Sequence, residues 1–229
     1  MSRGFSRIAS AGFRRTFRPW MSRRISGVSI AGLTFDVPGD RPIICVANHT
    51  SWWDGFLLME IRHKLRPGSP FHSVMLDSQL RKAPFLRKIG AIGIEPSSPA
   101  SVLRVRTELQ GRLKERPDSF VFYFPQGRIW PSRRRPLGFK RGIERFVDWL
   151  GDVVVLPVGI HIEPLNRASP RAFISVGEPI GSALRPTAQD LERAVESELD
   201  QILEFLDRHG EDAASEWPHA NSRLFAGAK

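Results

Sequence analysis

Apolar and polar positions along the chain fall into segments of two kinds. PIICVA (42–47), FHSVML (71–76), AIGIEP (91–96), SFVFYFP (119–125), DVVVLPVGIHI (152–162) and AFISVGEPI (172–180) are short apolar runs that read as buried strands. VSIAGLTFDV (28–37) reads as a strand or hairpin. Between these runs the apolar spacing turns helical. It predicts helices over 52–65, over 99–116 from Pro99 and Ala100, over 78–90 with an interruption at Pro84, and over about 140–150. The clearest amphipathic pattern spans 187–208, with Leu191, Val195, Leu199, Ile202 and Leu206 on one side.

Strands alternating with helices predict an α/β fold in which a mixed, mostly parallel central sheet is flanked by helices. At 229 residues the chain is long enough for one such domain with a sizeable core. It shows no internal repeat, low-complexity linker or clear domain boundary. The single domain is expected over 26–209, preceded by a basic segment (1–25) and followed by a loosely ordered tail (210–229).

Charge sharpens the reading of the N-terminus. The net charge is +10, and seven arginines precede Asp36, the first acidic residue. Among them Phe5, Ile8, Phe13, Phe17, Trp20 and Met21 roughly follow a helical face, predicting an imperfect amphipathic helix or two short ones broken near Pro19. Arginine with aromatic residues is what a helix lying in a membrane interface uses. A helix packed on its own domain, and an Arg- and Ser-rich transit peptide, are the competing readings.

The surplus positive charge implies an anionic partner: nucleic acid, anionic lipid or a phosphorylated substrate. Nucleic acid is disfavoured, because the basic residues concentrate in one terminal segment and one loop and no nucleic-acid module is recognisable. No run approaches the roughly 20 apolar residues of a membrane-spanning helix. The single cysteine, Cys45, excludes an intrachain disulfide and suits a reducing compartment.

Candidate chemistry lies at strand ends, where α/β folds gather reactive groups. His49 follows a predicted strand by two residues, and Asp54 falls in the first turn of the next helix. A turn there folds the carboxylate back towards one ring nitrogen and leaves the other free as a base. YFPQGRIWPSRRRPLGFKRG (123–142) leaves another strand through Gly127, which lets backbone approach a ligand, into a loop whose cations suit phosphate. No histidine pair has the H-E-x-x-H metal spacing. GVSIAG (27–32) lacks the second glycine of a nucleophile elbow, and Cys45 sits inside an apolar strand as a core residue.

Four blocks in order, Asn48-His49-x4-Asp54, Gly90-x-x-Gly93-Ile94, Phe124-Pro125-Gln126-Gly127 and Leu156-Pro157-Val158, make the chain resemble the glycerolipid acyltransferase superfamily. Its best-known members are the 1-acylglycerol-3-phosphate O-acyltransferases, and the similarity covers about 28–180. The resemblance implies a peripheral enzyme at the cytoplasmic face of the membrane. It would take acyl-CoA or acyl-carrier-protein as donor and a hydroxyl of a lysophospholipid or related lipid as acceptor, with no metal or other cofactor. It assigns His49 as general base and Asp54 as its orienting partner. Asn48, Gln126 and Gly127 would bind substrate, and Arg128, Lys140 and Arg141 would do so in place of the family's phosphate-facing arginines. Backbone N–H groups near Gly127, or after Asn48, would stabilise the oxyanion.

The departures bear on the acceptor. Glu95 stands where the phosphatidate-forming members have arginine, and FPQGRIW stands where they have Phe-Pro-Glu-Gly-Thr-Arg-Ser. A glycolipid, a carotenoid glycoside, an aminolipid or another lysolipid is therefore an alternative acceptor. Trp52 and Trp53 suit either a bulky apolar acceptor or ordinary core packing.

Overall fold

Eight strands form one sheet in the computed structural model, which describes residues 19–37 and 39–224. They are β1 (Gly27–Ala31), β2 (Ile43–Ala47), β3 (Phe71–Leu76), β4 (Ala91–Ile94), β5 (Phe120–Tyr123), β6 (Val154–Glu163), β7 (Arg171–Val176) and β8 (Ile180–Gly181). The order is β1-β7-β6-β2-β5-β3-β4, with β8 also on β6. Every pair is parallel except β6 with β7 and β6 with β8. This is the single α/β domain with a mixed, mostly parallel sheet that the alternation of elements predicts.

Strand β2 explains the layering. Its residues IICVA are wholly buried, because both faces of a parallel strand are covered. Successive side chains point to opposite faces. Ile43, Cys45 and Ala47 join Phe56, Leu57, Leu58 and Ile61 of α1 (Asp54–Leu65) in one core. Beyond α2 (Asp77–Lys82), three helices cover the other face: α3 (Pro99–Glu115), α4 (Gly142–Leu150) and α5 (Ala188–His209). There Ile44 and Val46 meet Val105, Leu109, Ile143, Phe146, Val195 and Leu199. Helix α5 starts at a capping box in which Thr187 and Asp190 satisfy each other's backbone N–H groups.

Three of the departures from the sequence-based expectation shape the domain's edges. Strand β1 stops at Ala31, because Gly32 turns out at φ +89°; the N–H groups of Gly32 and Leu33 then bond to the carbonyls of Ser222 and Ala220. Where a loose tail is expected from residue 210, residues 210–224 include α6 (Ala213–Glu216), and Trp217 packs on Phe173 and Phe205. At the other end, Met21 and Ile25 are buried in the main core, so residues 19–25 are built into the domain. The amphipathic helix predicted over the rest of that segment lies outside the described residues, as do residues 225–229.

Candidate active site

The carboxyl ends of β2 and β5 lie side by side, with β6 running past β2 on its other edge. Asn48 leaves β2 and turns its amide onto β6. Its Nδ2 donates to the Ile160 carbonyl and its Oδ1 accepts from the Ile160 N–H, both at 2.8 Å. The side chain thus continues the β2–β6 ladder one step past the last backbone pair, and it is buried. The sequence assigns Asn48 to substrate binding; the structure places it behind the site, where it fixes the backbone that carries His49.

His49 and Asp54 meet. The ring Nδ1 lies 2.7 Å from Asp54 Oδ2, which also accepts from the N–H groups of Thr50 (2.6 Å) and Ser51 (2.9 Å). The Ser51 hydroxyl donates to Oδ1 at 2.6 Å. A fully buried carboxylate is costly without such partners. Asp54 obtains them from the turn that precedes α1, and as the first residue of that helix it sits at the positive end of the helix dipole. A carboxylate can only accept, so Nδ1 carries the hydrogen of the neutral ring and Nε2 carries the lone pair. The ring stacks on Phe124 with centroids 4.4 Å apart and is 24% exposed. Nε2 has no hydrogen-bond partner among the described residues.

Gln126 ties the two strand ends together. Its Oε1 accepts from the His49 N–H at 2.6 Å and its Nε2 donates to the Leu137 carbonyl at 3.0 Å. It is buried, so like Asn48 it braces the site from behind. Gly127 adopts φ +69°, and a Cβ there would lie 2.9 Å from Lys140 Nζ, so glycine gives that lysine its place. Arg128 is exposed and stacks on Trp130 with its guanidinium carbon 3.9 Å from the ring centre. The Trp130 backbone N–H donates to the His49 carbonyl at 2.8 Å, which ties the loop that carries Arg128 to the His49 backbone. Arg141 points away: it is 89% exposed and pairs with Glu144 at 3.6 Å.

Several backbone donors proposed for an oxyanion are already engaged. The N–H of Gly127 bonds to the Phe124 carbonyl, and those of His49, Thr50 and Ser51 serve Gln126 and Asp54. The N–H groups of Arg128 and Ile129 have no partner among the described residues. Cys45 is fully buried and burial pushes its thiol far above its ordinary value, which makes it a core residue.

An aromatic patch flanks the histidine. Trp52, 47% exposed, lies edge-on to both Trp20 (5.5 Å) and Trp53 (5.3 Å), and Trp20 packs on Trp53 at 4.7 Å. Trp52 and Trp53 therefore divide the two roles considered for them: Trp52 offers open apolar surface and Trp53 backs it. Thr50, Ser51 and Trp130 escaped the sequence reading. Thr50 and Trp130 take part through backbone N–H groups, which carry no residue signature, but a serine three residues before an aspartate at a helix start is a recognisable turn pattern.

A family model described as Acyltransferase matches residues 33–161, more than half of the chain, including His49, Asp54 and Gln126. No curated protein matches the sequence significantly.

Proposed function

The chain belongs to the acyltransferase family, and from that premise we propose that it moves a fatty acyl group from a thioester donor, acyl-CoA or acyl-carrier-protein, to a hydroxyl of a lysophospholipid or related lipid. The observation that carries this reading is the bond between His49 Nδ1 and the buried Asp54, which leaves Nε2 without a partner on a partly exposed ring.

An alcohol is a poor nucleophile near neutral pH. Nε2 accepts its proton as the oxygen attacks the thioester carbonyl, and the imidazolium that forms is stabilised by Asp54. Collapse of the tetrahedral intermediate breaks the C–S bond, and the proton passes from Nε2 to the departing sulfur. The new ester and the free thiol leave the protein unchanged, so no covalent enzyme intermediate is required. A positioned base contributes about 10²- to 10⁴-fold. In this reading the N–H groups of Arg128 and Ile129 are the backbone donors open to the oxyanion.

The acceptor side supports a lipid held at a surface. Trp20, Trp52 and Ile129 are exposed apolar groups on segments that contact the turn around His49, and Arg128, Arg133 and Arg134 have no carboxylate partner among the described residues. Arginines beside exposed aromatics suit anionic headgroups, and residues 1–18 would add further positive charge. No described helix is long and apolar enough to cross a membrane; peripheral attachment at the cytoplasmic face fits this proposal.

A second acceptor class is favoured by one set of observations. Arg141 is turned towards Glu144, Gln126 is spent on backbone groups, and Glu95 accepts from the Ser97 hydroxyl. These changes favour a glycolipid, carotenoid glycoside or aminolipid over lysophosphatidic acid. The test is incubation of purified protein with acyl-CoA or acyl-carrier-protein and a total lipid extract, read by mass spectrometry. Acylated lipid that disappears with His49→Ala is expected; no His49-dependent product with either donor overturns the proposal.

A further inference from the structure

The loop after β5 has two sets of anchors, which meet where Arg135 donates to the Ser132 carbonyl at 2.8 Å. Its second part is held by acidic residues of α5: Glu196 accepts from the Leu137 N–H, Glu192 from those of Gly138 and Phe139, and Asp200 pairs with Arg135. Its first part carries Arg128, Trp130 and Arg134, and Ser132 is the single buried residue between Gly127 and Pro136.

Ser132 is bound by a histidine that the proposed chemistry does not use. Its hydroxyl lies 2.7 Å from His161 Nδ1, and His161 Nε2 lies 2.8 Å from Glu163 Oε2. The carboxylate can only accept, so Nε2 carries the hydrogen and Nδ1 accepts from the Ser132 hydroxyl. Burial lowers the His161 pKa, against the pull of Glu163, which keeps the ring in this neutral form. The chain Ser-His-Glu resembles a nucleophile's triad, but Ser132 is only 7% exposed and its hydroxyl points into the ring.

The relay closes a ring of contacts around the base. Asn48, next to His49, is bonded both ways to Ile160; His161 follows Ile160 and binds Ser132; and Trp130, two residues before Ser132, donates to the His49 carbonyl. Arg128 and Arg134 stack on the same indole, at 3.9 and 3.8 Å from its centre. Stacked guanidinium groups keep their in-plane N–H donors free for an anion.

We propose that His161 is a positioning residue: through Ser132 it latches the first part of this loop to β6 and so holds the Arg128–Trp130–Arg134 stack at the acceptor side of His49. This rests on the acyl-transfer reading for its effect on turnover, but the latch can be tested without it. Amide hydrogen exchange on the full chain, with Ser132→Ala and His161→Phe, reads the loop directly. Each variant is expected to speed exchange of Trp130 and its loop neighbours by about tenfold, the loss of one buried hydrogen bond, while Leu137, Gly138 and Phe139 keep their wild-type rates. In turnover, each is expected to raise KM for the lipid acceptor about tenfold, with kcat and the donor KM within about twofold. The double variant is expected to match the worse single one, because both changes break one latch. Ser132→Thr, which keeps the hydroxyl, is expected to restore both readouts. Unchanged loop exchange in Ser132→Ala overturns the latch, as do losses that multiply in the double variant or fall on kcat alone. A wild-type protein without acyl transfer would remove the function proposed above and leave the exchange experiment to decide the latch.

Discussion

Replacing Asp54 by asparagine separates two things the carboxylate does. Asp54 Oδ2 faces three donors, the His49 Nδ1–H and the N–H groups of Thr50 and Ser51, whereas Oδ1 faces the Ser51 hydroxyl, which can also accept. An asparagine therefore settles with its oxygen in the Oδ2 place and its amide towards Ser51. The ring keeps its tautomer and the turn keeps its bonds; the negative charge is lost. In the proposed reaction that charge acts when His49 becomes imidazolium. With charge centres about 4 Å apart and an effective dielectric near 20, the attraction is about 4 kcal/mol, or about 10³ in rate. Water at the partly exposed ring reduces this to about 10²- to 10³-fold. The assay is kcat at saturating donor and acceptor, with a urea titration to confirm that stability is unchanged. Asp54→Ala is the contrast, because it leaves two turn N–H groups without their acceptor, at about 1–3 kcal/mol each. An asparagine variant within about threefold of wild-type kcat, with the fold intact, would mean that Asp54 shapes the turn and does not serve the base.

Three further outcomes are expected. Burial, and then the Arg112 guanidinium, push His72 down from its ordinary 6.5 to about 3; between these values the unfolded chain binds the extra proton, so stability falls as the pH is lowered through that window. The difference between pH 7 and pH 4.5 is about 2 to 3 kcal/mol for this residue, and urea titrations of His72→Phe should show that much less acid sensitivity than wild type; equal curves would reject the assignment. Gly127→Ala forces a side chain into φ +69° against Lys140, and should cost about 1 kcal/mol of stability and raise KM for an anionic acceptor; a KM left at the wild-type value would show that Lys140 plays no part in binding it. Deleting residues 1–18, which remove five arginines but leave Met21 and Ile25 in the core, should weaken binding to anionic vesicles about tenfold or more and leave turnover of a soluble short-chain acceptor within about twofold; equal losses would indicate that the segment belongs to the fold.

The sheet and the His49–Asp54 pair were legible in the sequence for physical reasons. A parallel strand covered on both faces must be apolar at every position, so IICVA and FVFY stand out, and the pair lies within one turn of a helix start. What stayed hidden depends on contacts between distant segments. Ser132 and His161 are 29 positions apart, and a serine among arginines looks like any surface residue. The wrapping of residues 210–224 rests on a few groups, Ala213, Trp217 and Leu224, set in a polar stretch without periodicity. The resemblance assigned Asn48 and Gln126 to substrate binding, yet their amides serve backbone 112 and 11 residues away.

Gln126 also shapes the loop on the proposed acceptor side. A glutamate at position 126 would act differently. A carboxylate could accept from the His49 N–H as Gln126 Oε1 does, but its other oxygen would face the Leu137 carbonyl, which receives a donor here at 3.0 Å. Two acceptors in a buried contact repel, so glutamate would require either a bound proton or a different path for the loop at Leu137. Glutamine removes that conflict and draws Leu137 in, where Glu196 takes its N–H. The loop between Gly127 and Leu137 is thereby set by a neutral brace, and it presents Arg128 and Arg134 on an indole. One amide thus fixes both the backbone that carries His49 and the path of the loop beside it.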